Sequence, residues 1–183
     1  MIVNFFRAAF RPHITHMVAK VYIPTLFPLT FLISLMALRL DAYLGFQKGF
    51  LPSPSNYYIS IIMFVIGVIL WVWTYEQLTR LGEGSPSPAA GRTIKLAKEG
   101  IYAYSRNPSL FGKLTGFVAV GVGLNSFSFC FVLTPILLCG SLLEKVLRQE
   151  PQLIELFGDE YEDYRKKVPL FIPWNIFFAP KKH

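Results

Sequence analysis

Four long apolar runs constrain this chain more than any other feature: Val21 to Leu38, Tyr57 to about Tyr75, about Leu110 to Leu124, and Phe127 to about Leu143. A helix crossing hydrocarbon needs ~20 apolar residues, and lipid leaves the backbone little choice but to satisfy its own hydrogen bonds within helices. The runs therefore predict an all-α membrane protein of about four transmembrane helices, with spans at about 21–38, 57–75, 108–124 and 127–147. Residues 1–183 are expected to form a single integral membrane domain. The first run contains Pro24 and Pro28 and ends at Leu38-Arg39 without a small-residue cleavage pattern, so it is expected to stay as a span.

Little more than Asn125-Ser126 separates the last two runs, which predicts an antiparallel helical hairpin over about 108–147. Gly112, Gly116, Gly121 and Gly123 are expected to let its helices approach closely, and Gly112 with Gly116 is a small-xxx-small pair. The third run is short for a full span, so tilt or a start inside the interface is expected.

Only 16% of the residues are charged, against roughly 25% in a soluble domain. The net charge of +7 raises the possibility of nucleic acid, yet the basic residues flank apolar segments and form no basic face with interleaved aromatics, so no nucleic-acid partner is expected. Counted by segment, Lys and Arg number three before the first span, two after it (Arg39 and Lys48), six from Arg80 to Lys113, none at the Asn125 turn and seven from Lys145 onward. The positive-inside rule then puts both termini and the Arg80 to Lys113 segment in the cytoplasm.

Beyond the spans, Gly82-Glu-Gly-Ser-Pro-Ser-Pro-Ala-Ala-Gly91 reads as an irregular loop. Leu153, Leu156, Phe157, Tyr161, Tyr164 and Val168 follow a helical rhythm that Gly158 is placed to interrupt. Six of the eleven acidic residues lie between Glu150 and Asp163, so residues 148–174 form a cytoplasmic amphipathic C-terminal element, lying on the membrane surface or covering the bundle end. The closing Leu170 to Phe178 segment is apolar, aromatic and too short to span.

The stretch Gly100-Ile-Tyr-Ala-Tyr-Ser-Arg-Asn-Pro-Ser-Leu-Phe-Gly112 marks a junction. Pro108 suits the first turn of a helix and Asn107 suits the cap before it, so the third span starts here. Arg106 beside a helix N-terminus makes a site for a carboxylate or phosphate. Interfacial arginines are also common lipid anchors, and local chemistry alone leans to that use. Glu76 with Arg80, and Glu144 with Arg148, have the favourable order for surface pairs on a helix, although an ionisable Glu144 so close to the membrane core also suits a cavity. His13 and His16 lack further ligands, and Cys130 and Cys139 lie nine apart within one apolar run, so no metal is expected. Nucleotide-cradling loops and nucleophile elbows do not occur in the sequence.

Taken in order, Gly84-Ser-Pro-Ser-Pro88, the Gly100 to Gly112 stretch, Gln149-Glu-Pro-Gln-Leu153, Phe157-Gly-Asp-Glu-Tyr-Glu-Asp-Tyr164 and Val168-Pro-Leu-Phe-Ile-Pro173 resemble the isoprenylcysteine carboxyl methyltransferase and phospholipid methyltransferase family of integral membrane enzymes. The resemblance covers about half the chain, from Gly82 to Pro173. It implies methyl transfer from S-adenosyl-L-methionine to a lipophilic acceptor arriving from the membrane: an isoprenylcysteine-like carboxylate, a phospholipid amine or a small hydrophobic molecule. It also implies that residues 148–174 cover the cofactor.

Carried over by position, the resemblance assigns Arg106 and Glu150 catalytic roles, with Arg106 on the cofactor's carboxylate and Glu150 on its ammonium. Gly100, Tyr102, Tyr104, Arg106, Asn107, Gly112, Glu150 and Tyr161 become the cofactor-binding set. Two departures stand out, Gln149 where the family usually has an acid and Leu110 where it usually has a Tyr. Two other readings remain open: an NADPH-dependent membrane sterol-type reductase, which shares an Arg-His-Pro-Asn-Tyr step before a hairpin, and a catalytically degenerate membrane interaction protein.

Overall fold

A computed structural model describes residues 23–82 and 95–172, and side chains from residue 27 onward. The Gly84 to Pro88 stretch, the amino-terminal histidines and the end of the closing aromatic segment lie outside the described residues. Those residues form helices and turns, with no strand among them. In chain order they are α1 (Ile23–Leu44), α2 (Ser55–Leu81), a 3-10 turn (Gly100–Ala103), α3 (Ser109–Gly123), a π turn (Phe129–Leu133), α4 (Thr134–Glu144), a second π turn (Lys145–Gln149), α5 (Glu150–Phe157) and α6 (Asp159–Lys167).

Three helical stretches are long and apolar enough to cross a membrane: Phe27–Leu44, Ser55–Leu81 and Phe129–Phe157. The shorter Ser109–Gly123 is apolar too; its 15 residues rise only about 22 Å against a hydrocarbon core of about 30 Å. Large apolar side chains on the first two spans, among them Phe31, Leu32, Ile61, Ile62 and Phe64, are exposed. Such a surface suits lipid and is foreign to a monomeric soluble protein.

Two boundaries differ from the sequence-based expectation. The first span continues past Arg39 to Leu44 and ends at Gly45, whose φ of 82° suits only glycine-like backbone. The fourth span is helical without interruption from residue 127 to Phe157. It passes through the two π turns, and each is followed by a proline, Pro135 and Pro151. A proline ring inside an α-helix collides with the carbonyl four residues earlier and supplies no N–H to it. The wider π turn accommodates that ring, and the Thr134 hydroxyl donates to the Phe129 carbonyl at 2.8 Å.

The described residues fall into two compact units, one within Met1–Val72 and Gly112–Ser141, the other within Trp73–Phe111 and Leu142–His183. In the first, Ala37, Phe129 and Leu133 form a buried cluster flanked by Ile33, Phe117 and Val120. Polar contacts at the Asn125 turn fix its elements. Ser126 caps the fourth span, its Oγ accepting the Phe129 N–H at 3.1 Å. The same hydroxyl donates to the Asp41 carboxylate, whose other oxygen accepts the Ser128 N–H at 2.8 Å. A buried acidic group on α1 thus sits at the positive end of the fourth span. Asn125, at φ 52°, accepts the N–H groups of Phe50 and Leu51, both at 3.0 Å, and donates to the Leu51 carbonyl at 2.8 Å.

The second and third spans run antiparallel and close together. Asn56 Nδ2 donates to the Gly123 carbonyl at 3.1 Å and Ser60 Oγ to the Ala119 carbonyl at 2.8 Å. Farther along, a Cβ on Gly112 would lie 2.6 Å from the Trp71 backbone nitrogen, and one on Gly67 would lie 2.9 Å from the Gly116 nitrogen. Gly112 and Gly116 therefore serve contact with the second span, whereas hairpin closure falls to Gly121, where a Cβ would lie 2.5 Å from the Cys130 sulfur. Sequence alone offers no means to choose between two antiparallel neighbours for the same glycine stripe.

The two glycines of the small-xxx-small pair are not equivalent, because a Cβ on Gly116 meets nothing within 4 Å. Gly112→Ala should lower the thermal midpoint in detergent, corresponding to about 1–3 kcal/mol of overpacking, while Gly116→Ala leaves it near the wild-type value. Asn125→Gly separates side-chain bonding from backbone strain: glycine accepts the positive φ, yet loss of three hydrogen bonds should still cost about 1–3 kcal/mol in the same melt. An unchanged midpoint would show that the turn, and not the amide, holds the loop.

Candidate functional site

The second unit carries all the residues singled out by sequence except Gly112, which belongs to the first. Its core is Tyr161, Tyr164 and Val168, packed by Leu96, Leu153, Ile154 and Phe157. Leu156, assigned to the same face by periodicity, is exposed and Ile154 takes its place. Gly158, at φ 53° and ψ −133°, ends α5 and starts α6 in a backbone conformation open chiefly to glycine, which resets the helical phase.

Backbone and phenol contacts clamp the Gly100 to Asn107 segment. Tyr102 is buried on the 3-10 turn, its hydroxyl donating to the Thr74 carbonyl at 3.3 Å. Its own carbonyl accepts the Tyr164 hydroxyl at 2.6 Å. The Arg106 N–H donates to the Pro169 carbonyl at 2.9 Å, and Asn107 Nδ2 to the Leu170 carbonyl at 3.2 Å. Phe111 stacks on Phe171 with ring centroids 4.3 Å apart. Residues 168–171 therefore form a strap across the start of the third span. Asn107 also opens that span, its carbonyl accepting the Leu110 N–H at 3.1 Å.

Under the strap, Arg106 and Glu150 form an ion pair between Nη1 and Oε1, with side chains only 11% and 7% exposed. The other oxygen of Glu150 lies 3.6 Å from Nη1 of Arg165, a side chain that is 50% exposed. The Tyr161 hydroxyl is hydrogen-bonded to Arg106, which favours the ionised phenol, yet burial outweighs it and pushes the Tyr161 titration up. Burial likewise raises Tyr164 and Tyr102. All three phenols thus stay protonated at neutral pH; Tyr102 and Tyr164 donate to backbone carbonyls, and the Tyr161 oxygen accepts from Arg106. Arg106 Nε is buried without a hydrogen-bond partner among the described residues. An orphaned buried donor on a guanidinium is expensive unless something accepts from it.

Of the sequence-derived set, Arg106, Glu150 and Tyr161 come together directly. Tyr102 and Asn107 hold the frame around them. Tyr104 and Gly100 are exposed, Gly100 at φ 60°, and Gly112 lies against the second span. Gln149, which stands where the family usually has an acid, donates to both oxygens of Glu144 at 3.3 and 3.1 Å and accepts from Lys145 at 2.6 Å. The π turn brings residue 149 to Glu144, so the i, i+5 partner of Glu144 is Gln149 rather than the expected Arg148. Sequence reasoning missed Arg165 and the Tyr164 hydroxyl as members of this cluster. A signal existed: Arg165 is one helical turn after Tyr161.

Among the described residues no group of three or more His, Cys, Asp or Glu is placed to hold a metal. The arrangement can hold a zwitterion: a guanidinium with a buried donor left over adjoins a buried carboxylate, beside a protonated phenol.

Comparison with known proteins gives the same direction. The family model described as phospholipid methyltransferase matches residues 55–160. The protein-S-isoprenylcysteine O-methyltransferase of Schizosaccharomyces pombe is 37% identical over 78 residues, covering 43% of this chain and 33% of that protein. Methanethiol S-methyltransferase 1 of Bradyrhizobium diazoefficiens is 36% identical over 76 residues, 41% of this chain and 25% of that protein. The mouse protein-S-isoprenylcysteine O-methyltransferase is 32% identical over 82 residues, 45% of this chain and 29% of that protein. The matched region thus spans about a third or less of these relatives' own length. Since the family model covers more than half of the chain, including α2, the Arg106 junction, the hairpin and Glu150, the chain belongs to the phospholipid methyltransferase family.

Proposed function

We propose that the chain transfers a methyl group from S-adenosyl-L-methionine to a lipophilic acceptor that reaches the site from the membrane. The observation that carries this reading is the buried Arg106–Glu150 pair with its unsatisfied Arg106 Nε. The amino-acid end of the donor is zwitterionic. Its carboxylate matches Arg106 Nε, and its ammonium matches Glu150, as charge-assisted hydrogen bonds that strengthen away from water. Tyr161, protonated and already beside Arg106, orients the guanidinium.

When bound, S-adenosylmethionine supplies an electrophilic methyl on a sulfonium, open to in-line displacement. The protein's part is then to position the two partners and exclude water. Tyr102, Tyr164, Asn107 and the Val168 to Phe171 strap do this by fixing the Gly100 to Asn107 segment from both sides. A general base is not required when the acceptor is an ionised carboxylate or thiolate. The names of the relatives, isoprenylcysteine O-methyltransferase and methanethiol S-methyltransferase, favour such acceptors; a phospholipid amine has to shed its proton first. By the positive-inside rule the site and both termini face the cytoplasm.

Protein purified in detergent, given labelled donor and in parallel a farnesylated cysteine, phosphatidylethanolamine and a long-chain alkyl thiol, should label one of the three. It should also bind S-adenosylhomocysteine saturably. Saturable NADPH binding without S-adenosylhomocysteine binding would sink the proposal in favour of a reductase. Absence of transfer despite cofactor binding, with Gln149→Glu restoring it, would favour a degenerate site.

Two variants separate holding the donor from holding the fold. Arg106→Lys keeps a cation for Glu150 but loses the planar fork and its Nε, so the melt should stay near wild type while S-adenosylhomocysteine affinity falls about tenfold. Glu150→Gln leaves Arg106 buried and unpaired, so both affinity and stability should fall, the latter by about 3–5 kcal/mol.

A further inference from the structure

We propose that Arg165 is an electrostatic latch on the donor site, a side chain that holds Glu150 closed and exchanges with the incoming ammonium. The inference rests on the functional reading above and adds to it a residue that sets donor affinity. Both oxygens of the Glu150 carboxylate are engaged by the protein's own cations, Oε1 by Arg106 and Oε2 by Arg165. An ammonium arriving at Glu150 finds each oxygen already shared with a cation and meets the repulsion of both.

The two cations differ in how easily they withdraw. The Arg106 side chain is 11% exposed, its N–H is tied to the Pro169 carbonyl, and its guanidinium is bonded to Tyr161. Moving it would strand a buried charge. Arg165 is 50% exposed, sits in the last turn of α6, and meets Glu150 at 3.6 Å, long for an ion pair with direct hydrogen bonding. Its guanidinium can move into water by rotating side-chain torsions alone, with the α6 backbone held by Tyr161 and Tyr164 in the core. Charge balance points the same way. With Arg165 in place, the cluster of Arg106, Glu150 and Arg165 carries a net positive charge and opposes an ammonium arriving at Glu150. With Arg165 withdrawn, the Arg106–Glu150 pair is neutral and complements a zwitterion.

The latch also makes donor affinity respond to salt in an unusual direction. Half-exposed ion pairs are screened far more than buried ones, so added salt weakens the competing Arg165 contact before it weakens the ligand's own contacts under the strap.

Binding of S-adenosylhomocysteine to the full-length protein in detergent, measured by calorimetry, tests this. Arg165→Ala should bind about two- to fivefold tighter than wild type at low salt, the range expected for loss of one partly exposed ion pair, and Arg165→Lys should bind like wild type. Raising salt from about 20 mM to about 500 mM, which takes the screening length from about 20 Å to about 4 Å, should tighten wild-type binding and leave Arg165→Ala flat or weaker. Equal or weaker binding by Arg165→Ala at low salt, with its melt unchanged, overturns the latch and makes Arg165 a ligand contact or a bystander. Should that variant fail to fold, wild-type affinity that falls with salt overturns the latch by itself. No binding by wild type up to millimolar ligand overturns the donor site and the latch with it.

Discussion

The second unit depends on one buried ion pair. Arg106 and Glu150 are 44 residues apart in sequence, and taking both out of water costs several kcal/mol per ion before their attraction returns any of it. Such a pair is weak evidence for stability and stronger evidence for a task. The surroundings are built to hold it: a 3-10 turn pinned through Tyr102, a strap bonded to Arg106 and Asn107 through backbone carbonyls, and two tyrosines packed from α6. A framework of phenols and carbonyls around a half-satisfied guanidinium is what binding a small charged group requires, since the site must be fixed before the ligand arrives.

The first unit solves a different problem. Between helices in lipid there is little hydrophobic driving force, so association relies on close backbone approach and polar contacts. Gly67 and Gly112 provide the approach, and Asn56, Ser60, Asp41, Ser126 and Asn125 provide the contacts. The exposed apolar side chains of the first two spans take no part in this. They set where the helices reside and leave to a few glycines and polar groups the decision of how they pack.

That division explains what was legible in the sequence. Membrane residence and the number of apolar runs follow from composition, because lipid reads side-chain polarity directly. The junction at Asn107-Pro108 and the break at Gly158 follow from backbone chemistry local to those residues. Arg106, Glu150 and Tyr161 were brought together only through a family resemblance, since no local rule joins residues more than forty apart. Asp41 was assigned to a loop because Arg39 and Asp41 look like the end of an apolar run; its carboxylate in fact caps another span, a long-range contact that composition does not encode. The glycine stripe is legible as a close approach but its partners are not, since Gly112 meets the second span and Gly121 closes the hairpin; periodicity puts Leu156 on the core face because the reset at Gly158 changes the phase of the pattern.

The π turn at Lys145–Gln149 links backbone geometry to the chemistry of the second unit. Pro151 cannot donate to, and would collide with, the carbonyl of Leu147 in a regular helix, and the widened turn removes the conflict. Widening also inserts one residue relative to α-helical register, which rotates everything after it by about 100° with respect to Glu144. In a regular helix Arg148 would lie over Glu144 and the charge pair anticipated from i, i+4 spacing would form. In the widened helix Gln149 takes that place, Arg148 turns to the exposed side, and Glu150 is carried onto the buried side where Arg106 waits. The Glu150-Pro151 step thus acts as a unit: the proline forces the turn that aims the carboxylate. A carboxylate placed by backbone geometry, and not by its own rotamer alone, keeps its direction when one of its two cations leaves.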